Sequence, residues 1–443
     1  MAFTSMVGAR IRRREDPRLI TGRATYVDDV RTLGTLYASF VRSPYGHARV
    51  RSIDLSKAKQ LAGVFAAYVG ADLAAAGIKD LPCAHKMPQL LVPPHPALAG
   101  AEVRYVGEPV AVVVANDPYV ARDAAELVAV DYEELPAVVD SLKALEGGPY
   151  VHEQFGTNVA YRMPVAAGDA DAAFNEADFV IKERFVNQRL APVPIEPRGV
   201  LAQWNGGDEA LTVTTSTQIP HLCRTQLAVM LGIPENHIRV IAPEVGGGFG
   251  AKLNVYAEEA VCSWIAIQLE RPVKFIETRS ECFQAMIHGR DQVQDVEVAF
   301  KKDGTITGLR FRVVANLGAY FQLLTPVIPT LTLLMAPGCY KIPNLSTECI
   351  GVFTNTMSTD AYRGAGRPEA TFMIERVLDL VARKLELDPA EVRRRNFISG
   401  DFPHTTAMGL TYDSGRYETT MDYALKLADY QGLRKHQEEA RKN

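Results

Sequence analysis

The segment PEVGGGFGAK, residues 243–252, places four glycines within five residues, interrupted only by Phe249. Glycine costs conformational entropy on folding, and it is used where the chain bends sharply or where another group must approach the backbone. The glycines lie between a predicted strand and a predicted helix of about twenty residues. Such a junction binds anions, because the free N–H groups at a helix start point toward the ligand.

Three interpretations of this glycine run compete. Residues 246–251 match the dinucleotide-binding pattern G-x-G-x-x-A, and Glu277 ends a later strand, although at a longer spacing than that motif uses. A Walker loop is excluded because Lys252 is followed by Leu253 instead of Ser or Thr. The third interpretation is a tight turn between packed elements, although such a turn rarely needs four glycines.

A second glycine cluster lies in TDAYRGAGRPEATFMIER, residues 359–376. Gly364 and Gly366 again stand at a predicted strand-to-helix junction, where Arg363 and Arg367 flank them. The alternative is an ordinary helix N-terminus with two arginines facing solvent. Together the two junctions predict a ligand with more than one anionic group, bound from two sides.

Gln218, in TTSTQIPHLC, ends a predicted strand just before Pro220 opens a helix. A lone glutamine at this position is usually a capping or surface residue. Beside the two glycine junctions, it is also a candidate side-chain donor to the same ligand.

The surrounding elements predict an α+β chain with two domains. In residues 1–150, strand patterns alternate with helical ones, and the longest helical pattern runs over residues 56–77. A polar stretch at residues 147–156 marks the predicted boundary. The second domain, residues 151–443, is predicted to contain hairpins that turn at residues 205–208 and at Asp303-Gly304, and to end in a helix of roughly 25 residues.

The composition excludes several classes of function. The chain has 443 residues, a net charge of −4 and a pI near 6.2, without a basic block that would bind nucleic acid. No apolar run approaches the roughly 18 residues of a membrane span. Three arginines at residues 12–14 precede acidic residues instead of an apolar segment, so export is not predicted and a cytoplasmic location is expected.

Six cysteines are scattered along the chain and never occur as C-x-x-C: Cys83, Cys223, Cys262, Cys282, Cys339 and Cys349. Neither a zinc ribbon nor an iron–sulfur cluster is therefore expected within this chain.

Segments along nearly the whole chain resemble those of one enzyme family. GARIRRREDPRLITGRATYVDDV is similar to the entry of an α/β hammerhead domain, and five later segments resemble landmarks of a cofactor domain: NQRLAPVPIEPRGVLA, STQIPH, PEVGGGFGAK, DAYRGAGRPEA and DPAEVRRRNFI. The family is that of the molybdopterin-binding (large) subunits of xanthine dehydrogenase, aldehyde oxidase and carbon monoxide dehydrogenase. The resemblance implies a hammerhead domain followed by the first molybdopterin-binding domain.

This resemblance also implies a cofactor, molybdopterin, in bacteria commonly as its cytosine dinucleotide, whose dithiolene sulfurs hold molybdenum. The positions carried over to the cofactor site are Gln218, Gly247, Gly248, Phe249, Gly250, Arg363, Gly364 and Ala365. Gln218 would hydrogen-bond an oxo ligand of the molybdenum, and the glycine run would offer backbone N–H groups and close approach. Gln218 and Arg363 are the predicted catalytic residues, because fixed dipoles stabilise charge that develops on the metal's ligands.

Four departures from relatives bear on the substrate. Carbon monoxide dehydrogenases have a copper-binding cysteine at the position of Gly364, and purine-oxidising members have an acidic residue at the position of Leu253. Leu331 replaces their substrate-orienting arginine, and Ala365 replaces an aromatic residue that stacks on the substrate. The resemblance therefore implies a roomier and less polar pocket than that of the purine-oxidising members. It implies an enzyme that oxidises an aldehyde or an aromatic N-heterocycle with oxygen derived from water.

Single-chain relatives continue into a second cofactor domain that holds the glutamate acting as general base. Glu244 and Glu258 flank the glycine run here, but each is expected on a helix surface or at a cap. We therefore expect a catalytically incomplete N-terminal half that works with a second molybdopterin-binding subunit, a 2Fe-2S subunit, an FAD subunit and a small-molecule substrate. The alternatives are a non-catalytic molybdopterin-binding assembly protein and an NAD-dependent Rossmann dehydrogenase.

Overall fold

Strands and helices alternate throughout the part of the chain that the computed structural model describes, residues 8–400 and 402–442. The strands are β1 (Leu36–Arg42), β2 (Ala48–Asp54), β3 (Val64–Val69), β4 (Glu102–Val103), β5 (Pro109–Ala115), β6 (Ala129–Glu134), β7 (Val159–Ala167), β8 (Phe179–Asn187), β9 (Gly199–Asn205), β10 (Ala210–Thr215), β11 (Ile238–Ile241), β12 (Val273–Ile276), β13 (Gln292–Phe300), β14 (Ile306–Gly318), β15 (Asn344–Phe353), β16 (His404–Thr405) and β17 (Thr411–Tyr412). The helices are α1 (Asp16–Ile20), α2 (Ser56–Gln60), α3 (Gly70–Ala75), α4 (Pro118–Glu126), α5 (Ala170–Asn175), α6 (Pro220–Leu231), α7 (Ala257–Leu269), α8 (Arg279–Ala285), α9 (Val327–Met335), α10 (Arg367–Leu385), α11 (Pro389–Asn396), α12 (Tyr417–Leu427) and α13 (Tyr430–Ala440). The predicted α+β class is confirmed.

A seven-stranded sheet has the order β11-β10-β9-β12-β1-β5-β3. The pairs β1–β12 and β10–β11 are parallel, and the other neighbours are antiparallel. β5 is buried on both faces along its whole length, as its unbroken run of valine and alanine predicts. Three of the seven strands precede residue 150 and four follow it, so the two halves of the chain share this sheet. The division at residue 150 stays a prediction.

A five-stranded sheet has the order β7-β15-β14-β13-β8. Along β13, buried and half-exposed residues alternate, and the helix α10 packs against this strand. The other face carries cross-strand ion pairs such as Arg184–Asp295 at 2.5 Å and Lys182–Glu297 at 2.6 Å. The two predicted hairpins are confirmed as β9–β10 and β13–β14, and Gly304 supplies the positive φ of the second turn.

The Rossmann alternative is wrong for this chain. β9 runs antiparallel to both of its neighbours in the sheet that leads to the glycine run, whereas a dinucleotide fold needs a parallel doubly wound sheet. The helix that follows the glycine run is also shorter and later than predicted, because α7 begins at Ala257 and has 13 residues. Turns occupy the chain between the glycines and α7, so this helix does not begin at the glycine run.

Two predicted helices differ from the structure. Residues 56–77 form α2, β3 and α3 instead of one helix, because residues 64–69 pair with β5 and this pairing outweighs their local helical preference. The C-terminal region forms α12 and α13 instead of one helix, since Asp429 between them adopts a left-handed φ of 47°.

Two large apolar clusters stabilise the chain. One lies against the seven-stranded sheet under α6 and α7, and it contains both Val112 from the N-terminal part and Val261 from the C-terminal part. The other lies between the five-stranded sheet and α10, with Phe311 and Leu378 among its members. Across the described residues, the helices lack the combination of length and apolar character that a membrane span requires.

Candidate functional site

The glycine run lies in the loop between β11 and α7, and other segments pack directly onto it. A Cβ added at Gly248 would lie 2.4 Å from Oε1 of Gln218, and one added at Gly250 would lie 1.9 Å from the carbonyl oxygen of Ala361. Gly247 and Gly250 also have φ values of +98° and +92°, which side chains with a Cβ rarely adopt. The glycines are therefore needed for close approach as well as for turning.

Gln218 lies in the connection from β10 to α6, with its side chain exposed beside the glycine run. Its Oε1 accepts a hydrogen bond of 2.9 Å from the backbone N–H of Gly250. That N–H can only donate, so the amide oxygen must face it and Nε2 must point away. Among the described residues, Nε2 has no acceptor, which leaves it available to a ligand.

The second loop, residues 360–366, lies against the glycine run from the other side. The backbone N–H of Arg363 donates to the carbonyl oxygen of Phe249 at 2.8 Å, and the N–H of Ala365 donates to Tyr362 at 2.8 Å. Gly366 has a φ of +83° and forms the N-cap of α10, and a Cβ on it would lie 2.8 Å from Cβ of Leu331. The structure thus brings all eight predicted site residues together, although they come from three separate segments.

The surface that these segments form, called the cradle here, consists of Gln218, residues 246–250 and residues 363–366. Within the described chain, the backbone N–H groups of Gly247, Gly248, Phe249 and Gly364 have no protein acceptor. The exposed guanidinium of Arg363 also makes no hydrogen bond to the described residues. The N-terminus of α10 adds its partial positive charge at one edge. The cradle is therefore rich in unpaired donors and suits a ligand with several anionic atoms.

A buried lysine supports the cradle from below. The side chain of Lys252 is fully buried, and its ammonium donates to Ser216 Oγ at 2.7 Å and to the carbonyl oxygen and Oε2 of Glu196 at 2.8 Å each. Oε2 of Glu196 also accepts from the N–H of Gly246 at 2.7 Å. Burial lowers the pKa of Lys252, against the effect of Glu196. Lys252 is therefore a support for the glycine run, and its three donors are already used.

A network of buried charges beneath the cradle corrects two predictions. Glu258 is buried and pairs with Arg42 at 2.7 Å and with Arg198 at 2.8 Å, so it lies neither on a helix surface nor at a cap. Burial alone would raise the pKa of Glu258, but the two arginines outweigh it and hold the pKa at about 2. Glu277, the acid of the dinucleotide interpretation, is also buried and pairs with Arg198 at 2.6 Å. Glu244 lies in the loop after β11 and pairs with Arg18 at 2.7 Å, so it too lies neither on a helix surface nor at a cap.

Arg290 holds the second loop from beneath. Its guanidinium donates to the carbonyl oxygen of Arg363 at 2.8 Å and to that of Tyr362 at 3.3 Å, and its carbon lies 4.8 Å from the centre of the Tyr362 ring. It also pairs at 3.4 Å with Glu369, whose side chain is fully buried in the first turn of α10. No motif in the sequence pointed to Arg290, because its contacts are more than 70 residues away along the chain.

Asp360 joins the second loop to the segment that leads into α9. Its Oδ2 accepts from the backbone N–H of Leu324 at 2.9 Å and from Oγ1 of Thr325 at 3.2 Å. Burial raises the pKa of Asp360 to about 6, although these hydrogen bonds favour the charged form. Asp360 therefore couples the loop that carries Arg363 to the helix that carries Leu331.

Two family models match the chain. One, described as the molybdopterin cofactor-binding domain, matches residues 151–397. The other, described as the aldehyde oxidase and xanthine dehydrogenase a/b hammerhead domain, matches residues 21–136. The first model contains all three segments of the cradle.

Curated proteins and solved structures are also similar to the chain. The carbon monoxide dehydrogenase large chain of Afipia carboxidovorans is 38% identical over an alignment of 450 positions, which covers 97% of this chain and 55% of that protein. The nicotinate dehydrogenase large molybdopterin subunit of Eubacterium barkeri is 30% identical over 422 residues, 94% of this chain and 95% of that protein. The crystal structure of quinoline 2-oxidoreductase from Pseudomonas putida 86 superposes with a TM-score of 0.95 at 37% identity, covering 98% of this chain and 56% of that one. The chain thus spans about half the length of the first relatives it matches.

Proposed function

The chain belongs to the xanthine dehydrogenase and aldehyde oxidase family of molybdopterin-binding large subunits, and from this we propose that it carries half of the catalytic site of a molybdenum hydroxylase. The proposed reaction oxidises an aldehyde or an aromatic N-heterocycle with oxygen derived from water. One observation supports the proposal above all: three distant segments meet in a cradle whose unpaired groups are donors.

The residues of the cradle fit a molybdopterin, proposed here as its cytosine dinucleotide. A Cβ at Gly248 or Gly250 would collide with Gln218 or Ala361, so the absence of side chains lets the three segments close together and form one donor surface. Among the described residues, no group of three His, Cys, Asp or Glu side chains could hold a metal ion. A site that offers hydrogen-bond donors but no metal-binding side chains suits a metal ion that is already bound to an organic cofactor. When bound, the molybdenum supplies the two-electron oxidation of the substrate carbon.

The donors of the cradle have proposed tasks. Nε2 of Gln218 would donate to an oxygen atom of the cofactor, while its Oε1 stays bound to Gly250. The N–H groups of residues 247–249 would face the cofactor's anionic atoms, and Arg363 would add positive charge at the rim. These dipoles are fixed before the reaction, so they stabilise developing charge without reorganisation.

The general base is proposed to come from a second molybdopterin-binding subunit. Three carboxylates contact the cradle or its supports, and each has a partner: Glu196 pairs with Lys252, Asp360 accepts from backbone N–H groups, and Glu369 pairs with Arg290. Asp360 and Glu369 are buried and Glu196 is held by a buried lysine, so none of the three is placed to take a proton from a water molecule in the cradle. The relative from Eubacterium barkeri, itself described as a large molybdopterin subunit, aligns over 95% of its length and supports such a division.

Electrons are proposed to leave through partner subunits that carry 2Fe-2S clusters and FAD. The six thiols of this chain are free, and four of them are buried, in positions that are scattered over three helices, one strand and two loops. Burial raises the pKa of each of these thiols, which disfavours the thiolate that binds metal.

The substrate class rests on small residues at the rim. Gly364 has no thiol, which argues against copper-dependent oxidation of carbon monoxide, although the carbon monoxide dehydrogenase large chain is a relative. Ala365 and Leu331 lie beside Gly366, and neither side chain carries a charge or an aromatic ring. The names of two relatives, quinoline 2-oxidoreductase and nicotinate dehydrogenase, support an N-heterocycle.

The test is metal and nucleotide analysis of the protein isolated from its native source with its partners. We expect molybdenum and, on acid treatment, release of a cytosine nucleotide. Oxidation of aldehydes or N-heterocycles by the same complex would separate an enzyme from an assembly protein, which would bind the cofactor without turnover. A complex without molybdenum would contradict the proposal.

A further inference from the structure

Arg290 stands at a strained point of the backbone. Arg290 and Asp291 are consecutive residues with φ values of 66° and 59°, a conformation that residues other than glycine rarely adopt. The contacts of Asp291 hold the two residues in place. Its carboxylate pairs with Arg189 at 2.6 Å, and its backbone carbonyl accepts from the N–H of Asn316 at 3.0 Å. Backbone strain that persists because the surrounding structure holds it in place is common at functional sites, so the direction of the Arg290 side chain points to a function.

The contacts of Arg290 fix two successive peptide planes of the second loop. In a trans peptide the C=O and N–H groups point in opposite directions. The carbonyl of Tyr362 points to Arg290, and the N–H of the same peptide, on Arg363, donates to Phe249 in the glycine run. Arg290 and the glycine run therefore lie on opposite sides of this peptide.

The next peptide, which joins Arg363 and Gly364, is also oriented by Arg290. The carbonyl of Arg363 accepts from Nη2 of Arg290 at 2.8 Å, so the N–H of Gly364 points away from Arg290. That N–H has no acceptor among the residues that the structure describes, and Gly364 is exposed. The guanidinium thus turns the Gly364 N–H toward the side of the loop where the glycine run lies.

We propose that Arg290 is a positioning residue, which aims the Gly364 N–H and the Arg363 loop at the cofactor by holding the carbonyls of Tyr362 and Arg363. This inference rests on the proposed function, because it adds a residue to the same site. Glu369 keeps the guanidinium in place through a buried ion pair, and the Tyr362 ring covers it on one face. Lysine does not reproduce this arrangement, because its ammonium lacks the planar fork by which the guanidinium reaches both carbonyls and the Glu369 carboxylate at once.

The experiment compares Arg290→Met, Arg290→Lys and the double variant Arg290→Met/Glu369→Gln in the complex with its partners. Arg290→Met leaves the buried Glu369 carboxylate without a partner, so its stability falls for a reason unrelated to positioning. The double variant removes that charge, and we expect its denaturation midpoint to return close to that of wild type. Its kcat per bound molybdenum should remain about 10- to 100-fold below that of wild type, and its KM should change less.

A readout independent of turnover is hydrogen exchange in the second loop. The N–H groups of Arg363 and Ala365 are hydrogen-bonded, so they should exchange faster in the double variant than in Glu369→Gln alone. Arg290→Lys should keep the stability of wild type but not its kcat or its loop protection. A matched control is Arg393→Met, which breaks ion pairs with Glu375 at 2.8 Å and Asp379 at 3.0 Å, more than two turns along α10 from the second loop, and should lower stability alone.

Recovery of kcat and loop protection together with stability in the double variant would overturn the positioning role. Wild-type values for Arg290→Lys in both measurements would do the same. If the wild-type complex contains no molybdenum, the proposed function fails, whereas the exchange measurement still decides whether Arg290 orders the loop.

Discussion

Gln218 shows how a single amide can serve two partners at the residue scale. Its oxygen is committed to the Gly250 N–H, and this commitment turns Nε2 outward. The side chain is therefore oriented before any ligand arrives, which is the property that makes a donor effective during catalysis.

We predict that Gln218→Ala leaves the molybdenum content largely intact and lowers kcat by about 10²- to 10³-fold, the usual effect of removing one aimed donor. Metal analysis and steady-state kinetics on the purified complex measure the two quantities. Gln154→Ala, at an exposed glutamine away from the cradle, is the control and should behave as wild type. An unchanged kcat per molybdenum would remove the role proposed for Gln218.

Lys252 provides a second prediction at this scale. Lys252→Met should lower the free energy of unfolding by about 2–4 kcal/mol, because it leaves a partly buried carboxylate on Glu196 without its cation. Urea unfolding checks this value. Lys182→Met, which breaks an ion pair whose lysine is 71% exposed, should cost less than about 1 kcal/mol. Equal losses in the two variants would contradict the structural role of Lys252.

At the scale of elements, the site was partly predictable from the sequence. Glycine density and strand-to-helix junctions drew attention to both loops, and a resemblance between ordered segments connected them with Gln218. Patterns of local sequence could not reveal Glu196, Lys252, Arg290 or Glu369 as supports, since each acts on a segment remote in the chain. The helix predicted over residues 56–77 failed for the same reason, because the partner strand β5 decides its structure.

The contact between the two loops gives a third prediction. Gly250→Ala should separate the glycine run from the second loop, because a Cβ there would lie 1.9 Å from the Ala361 carbonyl oxygen at a φ of +92°. We expect a loss of about 2–4 kcal/mol in the free energy of unfolding and a lower molybdenum content.

Gly409→Ala is the matched control for this variant. Gly409 has a φ of +80° but nothing within 4 Å of an added Cβ, so it carries the backbone strain without the collision. Its loss should be about 1 kcal/mol, with normal metal content. If Gly250→Ala and its control bind metal equally well, close contact between the loops is not what forms the cradle.

At the scale of the whole molecule, Glu108 lies where the N-terminal region meets the C-terminal one. Its carboxylate accepts from the backbone N–H of Arg104, and the guanidinium of Arg104 donates to the hydroxyl of Tyr320 at 3.2 Å. Burial raises the pKa of Glu108 to about 7, against the effect of Arg104. A raised carboxyl pKa means that the folded state binds a proton more tightly than the unfolded state.

Glu108 favours folding at low pH, and this contribution is lost as the pH rises from about 4.5 through about 7. Glu108→Gln should therefore be more stable than wild type by about 3 kcal/mol at pH 8, with the difference vanishing near pH 4. Unfolding curves from pH 4 to 8 measure it. Glu126→Gln, at an exposed position on α4, should follow the wild-type profile, and a pH-independent difference for Glu108→Gln would contradict the prediction.

The parallel pair β1–β12 has a consequence for the order of events during synthesis. Leu36 leaves the ribosome long before Val273, the residue it faces in the sheet. At about 5–20 residues per second, β1 waits on the order of 10–50 s for its neighbour, with one edge free to pair with any other strand. A nascent chain of this kind needs protection over that interval, and we expect chaperone dependence to fall once ribosomes have passed β12.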